Sequence, residues 1–384
     1  MSEWKKVKLG ELYEVHNGLS KGRQFFGTGF PFLTFSNVFN NWFLPDQLES
    51  LVQTTDKERE ACSIKAGDVF ITRTSETMDE LGMSSVALKD YPNATYNGFT
   101  KRLRPITNRV NPRYIGYYLR TPKFRGQFMA FSSMTTRASL ANNDLLNMEV
   151  ELPSMEIQHR IATILSRYDS LIESHLKQIK LLEEAAQRLY KEWFIDLHFP
   201  GHENTNIIDG VPEGWEKKKV GDITPIITGK KDANFGTPDG EYPFFTCSQE
   251  PIKAPSFSFD CAAVLLAGNG DFNVKLYRGR FEAYQRTYVL SPYIDSHLYL
   301  LFYTISANMT KLAAGSSGST IKFLTKGMID GINLNVPNDE ILRSFNKKVE
   351  PIQSSRESLQ SQLRLLTEAR DRLLPKLMSG EITI

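Results

Sequence analysis

The chain has 384 residues, of which 41% are hydrophobic and 23% charged, with a net charge of +2 and three cysteines. This length holds two or three domains with their own cores, and the composition excludes a disordered chain. Cys62, Cys247 and Cys261 are odd in number and lack metal spacing, so reduced thiols are expected rather than a disulfide framework. No run of 18 apolar residues occurs, and Met1-Ser2-Glu3-Trp4-Lys5-Lys6 carries no apolar signal core, which predicts a cytoplasmic protein with no membrane partner.

Residues 1–153 alternate short β-like runs with Gly, Pro and Asn turns. Phe30-Pro31-Phe32-Leu33-Thr34-Phe35, Gly67-Asp68-Val69-Phe70-Ile71-Thr72 and Met148-Glu149-Val150-Glu151-Leu152-Pro153 read as strands. Asn111-Pro112, followed by Tyr114, Ile115, Tyr118 and Leu119, reads as an N-capped helix. The domain is predicted to be α+β. Residues 91–143 contain no Asp or Glu and carry nine basic residues, among them Lys101, Arg102, Arg104 and Arg137. Tyr114, Tyr117, Tyr118, Phe124 and Phe128 are interleaved with them.

From Ser154 the period changes. Ile157, Ile161, Ile164, Tyr168, Ile172, Leu176, Ile179, Leu182, Ala186, Leu189 and Trp193 recur at steps of three and four, with no Gly or Pro before Pro200. This is a narrow-seamed helix of coiled-coil type with a stutter near its middle, started by Ser154 and Glu156 and stopped at Pro200-Gly201. Some 36 residues at ~1.5 Å each make a rod of roughly 55 Å. A polar linker, residues 201–214, leads to a second globular stretch, 215–337. Within it, between residues 261 and 329, Lys275, Arg278, Arg280, Arg286, Lys311, Lys322 and Lys326 outnumber three acids. Residues 338–384 repeat the helix, with Leu359, Leu363, Leu366 and Leu373 on its seam, a kink expected at Pro351 and an end or bend at Pro375.

The chain is one unit written twice. Residues 136–190 fall on 320–374 without a gap at an offset of 184, so that Leu140 meets Leu324 and Pro153 meets Pro337. Further back the offset grows to 211, where Trp4-x4-Leu9-Gly10 meets Trp215-x4-Val220-Gly221. Apolar signposts match while the polar stretches between them differ, which separates scaffold from variable loops. The expected architecture is α+β: two tandem mixed domains and two long helices packed as an antiparallel coiled coil, with a pseudo-two-fold internal repeat.

Catalytic signatures are missing. No Walker A string occurs, since Gly229-Lys230 lacks the preceding glycine and following hydroxyl. Asn111-Pro112-Arg113-Tyr114 approaches the motif with which adenine methyltransferases grip their target amine, but arginine replaces the second proline. Its counterpart, Asp295-Ser296-His297-Leu298, keeps only helix-capping chemistry. The six histidines have no ligand spacing, and no metal site is expected. Two basic surfaces in a nearly neutral chain point instead to a polyanion bound at two places.

The tandem repeat resembles the specificity subunit of a Type I restriction–modification system along the whole chain. The carriers are Trp4…Leu9-Gly10 with Trp215…Val220-Gly221, the strand end Ile332-Asn333-Leu334-Asn335-Val336-Pro337 before its helix, and the tail Leu373-Leu374-Pro375-Lys376-Leu377-Met378-Ser379-Gly380-Glu381-Ile382. The first helix departs from the pattern, ending in Phe194-Ile195-Asp196-Leu197-His198. The resemblance implies a target-recognition domain in residues 1–153 and another in 215–337, each reading one half of a split double-stranded DNA target from the major groove. The helices at 154–200 and 338–384 would fix the spacer. It further implies docking of two methyltransferase subunits and of restriction (translocase–nuclease) subunits. S-adenosylmethionine, ATP and magnesium would be held by those partners and none by this chain, which itself would catalyse nothing. Alternatives are a methylation-only or Type IIG/IIB-like system, and a methyltransferase or nuclease in its own right. Base reading requires Arg, Lys, Asn or Gln on loops. The candidates are Lys21, Arg23, Gln24, Arg73, Asn97, Arg102 and Arg137 in the first copy. In the second they are Lys230, Lys231, Asn234, Asn269, Arg278, Arg280, Arg286 and Lys322. The helix-pair seam is assigned to Ile161, Ile164, Ile172, Ile179, Leu182, Leu189, Leu359, Leu363, Leu366 and Leu373.

Overall fold

A computed structural model describes residues 4–75, 81–131, 138–316, 318, 322–382 and 384. The chain forms two compact units, one of Met1–Ser174 with Gln362–Ile384, the other His175–Ser361. Both divisions fall inside long helices, Met155–Tyr190 and Asp339–Met378. Each unit is therefore a strand-rich globular part plus a piece of each helix.

In the first unit the strands are β1 (Lys5–Lys8), β2 (Tyr13–Asn17), β3 (Phe26–Leu33), β4 (Leu51–Val52), β5 (Val69–Thr72), β6 (Thr74–Ser75), β7 (Ser84–Val86), β8 (Thr95–Tyr96), β9 (Thr100–Pro105), β10 (Ala138–Ser139) and β11 (Glu149–Leu152). β5 reads Val-Phe-Ile-Thr, buried at every position, as a strand covered on both faces must be. It lies between β9 and β7 in a sheet ordered β2-β9-β5-β7, beside a second sheet ordered β4-β3-β8. The second unit holds β12 (Ile207–Ile208), β13 (Val211–Pro212), β14 (Glu216–Lys219), β15 (Ile227–Thr228), β16 (Tyr242–Phe245), β17 (Ile252–Ala254), β18 (Phe259–Ala267), β19 (Val274–Ala283), β20 (Thr287–Leu290) and β21 (Asn333–Val336). Its sheet runs β15-β20-β18-β19-β16-β17. This is the first unit's strand order, with the long β19 serving for both β7 and β8. In each unit one pair is parallel, β3 with β8 and β16 with β19. Each globular part is closed by its own antiparallel pair, β1 with β11 and β14 with β21. The duplication is thus present in topology as well as sequence.

The helix at Pro112–Tyr118 forms as expected, with the Asn111 side chain accepting from the amides of Arg113 (2.9 Å) and Tyr114 (3.1 Å) and Pro112 in the first turn. The aromatics interleaved with the basic residues are scaffold: Tyr114, Tyr117 and Tyr118 on this helix, and Phe124 and Phe128 on the next, Pro122–Phe131, are buried in the core of the first unit. The corresponding helix of the second unit, Leu298–Gly315, has no side-chain cap, and Asp295 lies in a preceding 3-10 turn, contrary to the capping chemistry expected of it. The linker is also more ordered than expected. β12 and β13 form a hairpin whose turn residues Asp209 (φ 50°) and Gly210 (φ 76°) both take the left-handed conformation of a two-residue turn.

The first long helix ends at Tyr190 and passes into one π-helical turn, Lys191–Ile195, which aims Trp193 and Phe194 into the second unit's core. The second runs unbroken through Pro351 and Pro375 to Met378. Both prolines are exposed, so the carbonyls they leave without a helical partner face solvent, and the expected kink and end do not appear. Within the second unit the helices run antiparallel, since Glu183 meets Arg356 (3.6 Å) while Phe194 stacks edge-on against Phe345 (4.8 Å). Ile179 is buried, Leu182 and Leu359 are half-buried, and Leu189 packs on the same core. Within the first unit, Ile161 and Leu165 share a core with Leu374, Leu377 and Met378, with Ile164 and Leu373 against it. Ile172, Leu363 and Leu366 are half-buried there. Asp169 accepts from Arg370 (3.0 Å) and from the Tyr117 hydroxyl, tying the returning helix to the first globular part. Leu176, which the spacing puts on the seam, is 52% exposed, a consequence of the stutter.

Candidate nucleic-acid interface

In the second unit β18 ends at Ala267, and its continuation at Gly268-Asn269 is stitched to two other loops. The Gly268 amide donates to the Arg286 carbonyl (2.8 Å), and the Leu324 amide donates to the Gly268 carbonyl (2.8 Å). Gln285 donates from its amide to the Lys231 carbonyl (2.9 Å), and Asn269 bridges to Phe323. Lys230, Lys231, Asn269, Arg286 and Lys322 therefore stand on loops held together by backbone bonds. Lys230, Arg286 and Lys322 are exposed, Lys231 and Asn269 half-buried, and none of the four cations has an ion pair among the described residues. Asn234 is exposed on the 3-10 turn Ala233–Phe235, whose Phe235 ring lies under the Lys231 ammonium (4.3 Å). Unpaired cations on a braced loop cluster are free to bind an anion at no cost in a broken salt bridge.

Arg278 and Arg280 belong elsewhere. They project from the body of β19, where Arg278 pairs with Glu350 of the second long helix (3.1 Å) and lies over the Tyr299 ring (5.1 Å). Arg280 pairs with Asp260 on the neighbouring strand (3.1 Å), which raises its pKa. Their charges are already matched inside the unit.

The first unit builds the same cluster. Arg73 follows β5, its amide donating to the Phe99 carbonyl (3.0 Å) and its carbonyl accepting from Leu140 (3.1 Å). Gly98 donates to the Leu19 carbonyl (2.9 Å). A Cβ on Gly98 would come within 2.5 Å of the Ser20 hydroxyl, so the turn at 97–99 and the loop at 18–25 are in direct contact. Arg23 and Gln24 are exposed on the latter. Lys21 is tied to Glu58 (2.8 Å) and the Gln53 carbonyl (2.7 Å), so it braces the loop. Arg73 is half-buried, and its Nε has no hydrogen-bond partner among the described residues. Beside it Lys101, buried and donating to Asn142, has its pKa lowered by burial and by the Arg73 charge.

Two assigned readers are interior. Asn97 is 7% exposed, and its amide is consumed by donating to the Leu33 carbonyl (3.2 Å) and accepting from the Phe99 amide (2.8 Å). Arg102 is 2% exposed, with Nη1 donating to the Ser63 carbonyl (2.7 Å) and its plane near the Tyr96 ring. Both hold the scaffold, as does Arg104, which is paired to the fully buried Asp68 at 2.6 Å. Arg137 lies outside the described residues. Phe99, Lys101, Asn142 and Gln285 are not among the readers assigned from the sequence, although Lys101 belongs to its basic stretch. Phe99 escapes a search for hydrogen-bonding side chains by its chemistry, and only the register of the repeat reveals it.

Among the described residues no three His, Cys, Asp or Glu side chains converge as metal ligands. No helix there is long and apolar enough to cross a membrane.

Residues 1–184 and 212–355 match the family described as the Type I restriction modification DNA specificity domain. The specificity subunit of the type I restriction enzyme EcoDI of Escherichia coli is 36% identical over 177 residues, an alignment spanning 45% of this chain and 40% of that relative. The specificity subunit of the type I enzyme MjaIX of Methanocaldococcus jannaschii is 25% identical over 416 residues, covering 100% of this chain and 94% of its own. In fold, the chain is similar to the crystal structure of a type I restriction–modification S subunit from M. genitalium. That likeness has a TM-score of 0.65 at 15% identity and covers 98% of this chain and 96% of that one.

Proposed function

Since the chain belongs to the Type I restriction modification DNA specificity family, we propose that it reads a split duplex DNA target, one half-site per unit, for a methyltransferase that supplies the chemistry. The observation that carries this reading is the twice-built loop cluster. The same strand ends and backbone bonds present Arg73 and Phe99 in one unit and Gly268 and Arg286 in the other. An invariant frame with different side chains is what two unlike half-sites require. Exposed cations such as Arg23, Lys230 and Lys322 supply phosphate contacts and hence salt-dependent affinity.

The frame also repeats an exposed apolar residue. The amide of Ile106, 56% exposed, donates to the Leu12 carbonyl (2.9 Å), and that of Tyr293, 68% exposed, donates to the Ile223 carbonyl (3.0 Å). Both follow the last strand of their sheet and precede its covering helix. A feature kept alike in both units suits two copies of one partner, the methyltransferase subunit, and restriction subunits complete the assembly. S-adenosylmethionine, ATP and magnesium belong to those partners, and the complex works in the cytoplasm. The paired long helices form an antiparallel coiled coil that sets the distance between half-sites, which on one face of B-DNA is near one turn, ~34 Å.

Single-molecule methylation sequencing of cells with and without the gene tests this reading. A split motif methylated only when the gene is present is the expected result. An unchanged methylome, or methyl transfer by the purified chain alone, would contradict it.

A further inference from the structure

The two loop clusters hold equivalent slots with exchanged occupants. One slot follows the central strand, and its amide donates to the carbonyl of the other, which lies in the turn before the adjacent strand. In the first unit they are Arg73 and Phe99 (3.0 Å); in the second, Gly268 and Arg286 (2.8 Å). The match extends to their neighbours, because Leu140 and Leu324 both donate to the first slot. Thr100 and Thr287 donate from their amides to the carbonyls of Asn97 (3.2 Å) and Tyr284 (2.8 Å) in the same turn. Each unit therefore presents one arginine, shifted between neighbouring strands.

Phe99 is the anomaly. It is 59% exposed, the highest value for any phenylalanine among the described residues, within a stretch free of carboxylates. Its position is fixed, since the Asn97 carboxamide accepts from its amide (2.8 Å) and Arg73 donates to its carbonyl. An exposed apolar ring on a backbone-anchored turn has no use for phosphate and cannot read a donor or acceptor. In the major groove the one apolar group that distinguishes a base is the thymine methyl.

We propose that this turn position specifies a base in each unit: Phe99 packs on a thymine methyl in the first half-site, and Arg286 binds a guanine edge in the second. The proposal rests on the reading of split DNA targets above and adds the chemistry read at one slot.

The test uses the full chain assembled with its methyltransferase partner and duplexes carrying the target found by methylation sequencing. Replacing the thymine concerned by deoxyuridine removes only the methyl group and is expected to weaken binding by the wild type about fourfold. In Phe99→Ala the same replacement has no effect. Replacing the guanine by 7-deazaguanine is expected to weaken wild-type binding roughly tenfold and leave Arg286→Ala unaffected. Phe99→Arg, which installs the second unit's residue, shifts the preference at that one base pair from T·A to G·C. The proposal is overturned if Phe99→Ala still senses the methyl, or if it weakens binding to all sequences alike, as a non-selective wedge would. If the assembled wild type shows no preference for any split sequence, the functional reading fails first and takes this inference with it. A selective wild type whose Phe99→Ala and Arg286→Ala variants keep the wild-type base preferences removes this inference alone.

Discussion

Arg370→Ala cuts the tie between the returning second helix and the first unit. The guanidinium, 15% exposed, donates to Asp169 at 3.0 Å, pairs with Asp371 at 2.9 Å and lies 5.3 Å from the Trp42 ring. Exposed ion pairs are worth about 0–1 kcal/mol, whereas breaking a buried one costs about 3–5. Asp169, at 28% exposure, stands between these limits and keeps the hydrogen bond from Tyr117, so it is not left alone. Adding ~0.5–1 kcal/mol for the lost ring contact gives a loss of about 2–3 kcal/mol. For a domain of about 150–250 residues that lowers the melting temperature by roughly 5–10 °C. Trp4 and Trp42 report the first unit, so their fluorescence during thermal and urea unfolding is the assay. Asp169→Asn made alone and with Arg370→Ala closes a double-mutant cycle with an expected coupling of about 1–2 kcal/mol. A loss below ~0.5 kcal/mol, or zero coupling, would show that the tie does not hold the helix.

Asn97→Ala removes two buried hydrogen bonds and should cost about 2 kcal/mol; it should also relax base preference in the first half-site while leaving non-specific binding intact, which competition binding at fixed salt would reveal. Burial, aided by Lys218 and opposed by Asp339, holds the His297 pKa below its ordinary value, so the folded second unit keeps a neutral imidazole that the unfolded chain protonates near ~6.5. Stability of that unit should therefore be fully present above this pH and fall as pH drops below it, and His297→Gln should flatten the trend in urea unfolding read at Trp193 and Trp215. Seven residues inserted after both Leu182 and Arg356 preserve the seam and lengthen each helix by ~10 Å, so the unread spacer in the methylated motif should grow by about three base pairs. An unchanged spacer would refute the measuring role of the helices.

The scaffold was legible in the sequence because it obeys periodicities. The Val69-Phe70-Ile71 strand, the helix capped by Asn111 and both long helices stand where alternation, capping and a three-four step put them. Pro351 and Pro375 misled because a proline on the solvent side of a well-packed helix removes a bond that water replaces. The site was less legible. Composition located the basic stretch, but the fate of each cation depends on partners distant in sequence: Arg278 finds Glu350, Arg280 finds Asp260, and Arg102 finds the Ser63 carbonyl. Asn97 has the right chemistry for adenine, yet its amide is spent on Leu33 and Phe99. The ungapped part of the repeat is mostly helix and closing strand, with one brace of each loop cluster, Leu140 and Leu324, at its start. The part where the offset drifts contains the loops that carry Arg73, Phe99, Asn269 and Arg286.

The most direct test of two independent readers on one frame is to replace residues 1–153 with the corresponding stretch of a relative that directs methylation to a different split motif, and to sequence the methylome. The expected result is a hybrid motif in which one half-site changes and the other half and the spacer stay as they were. Change in both halves would contradict it.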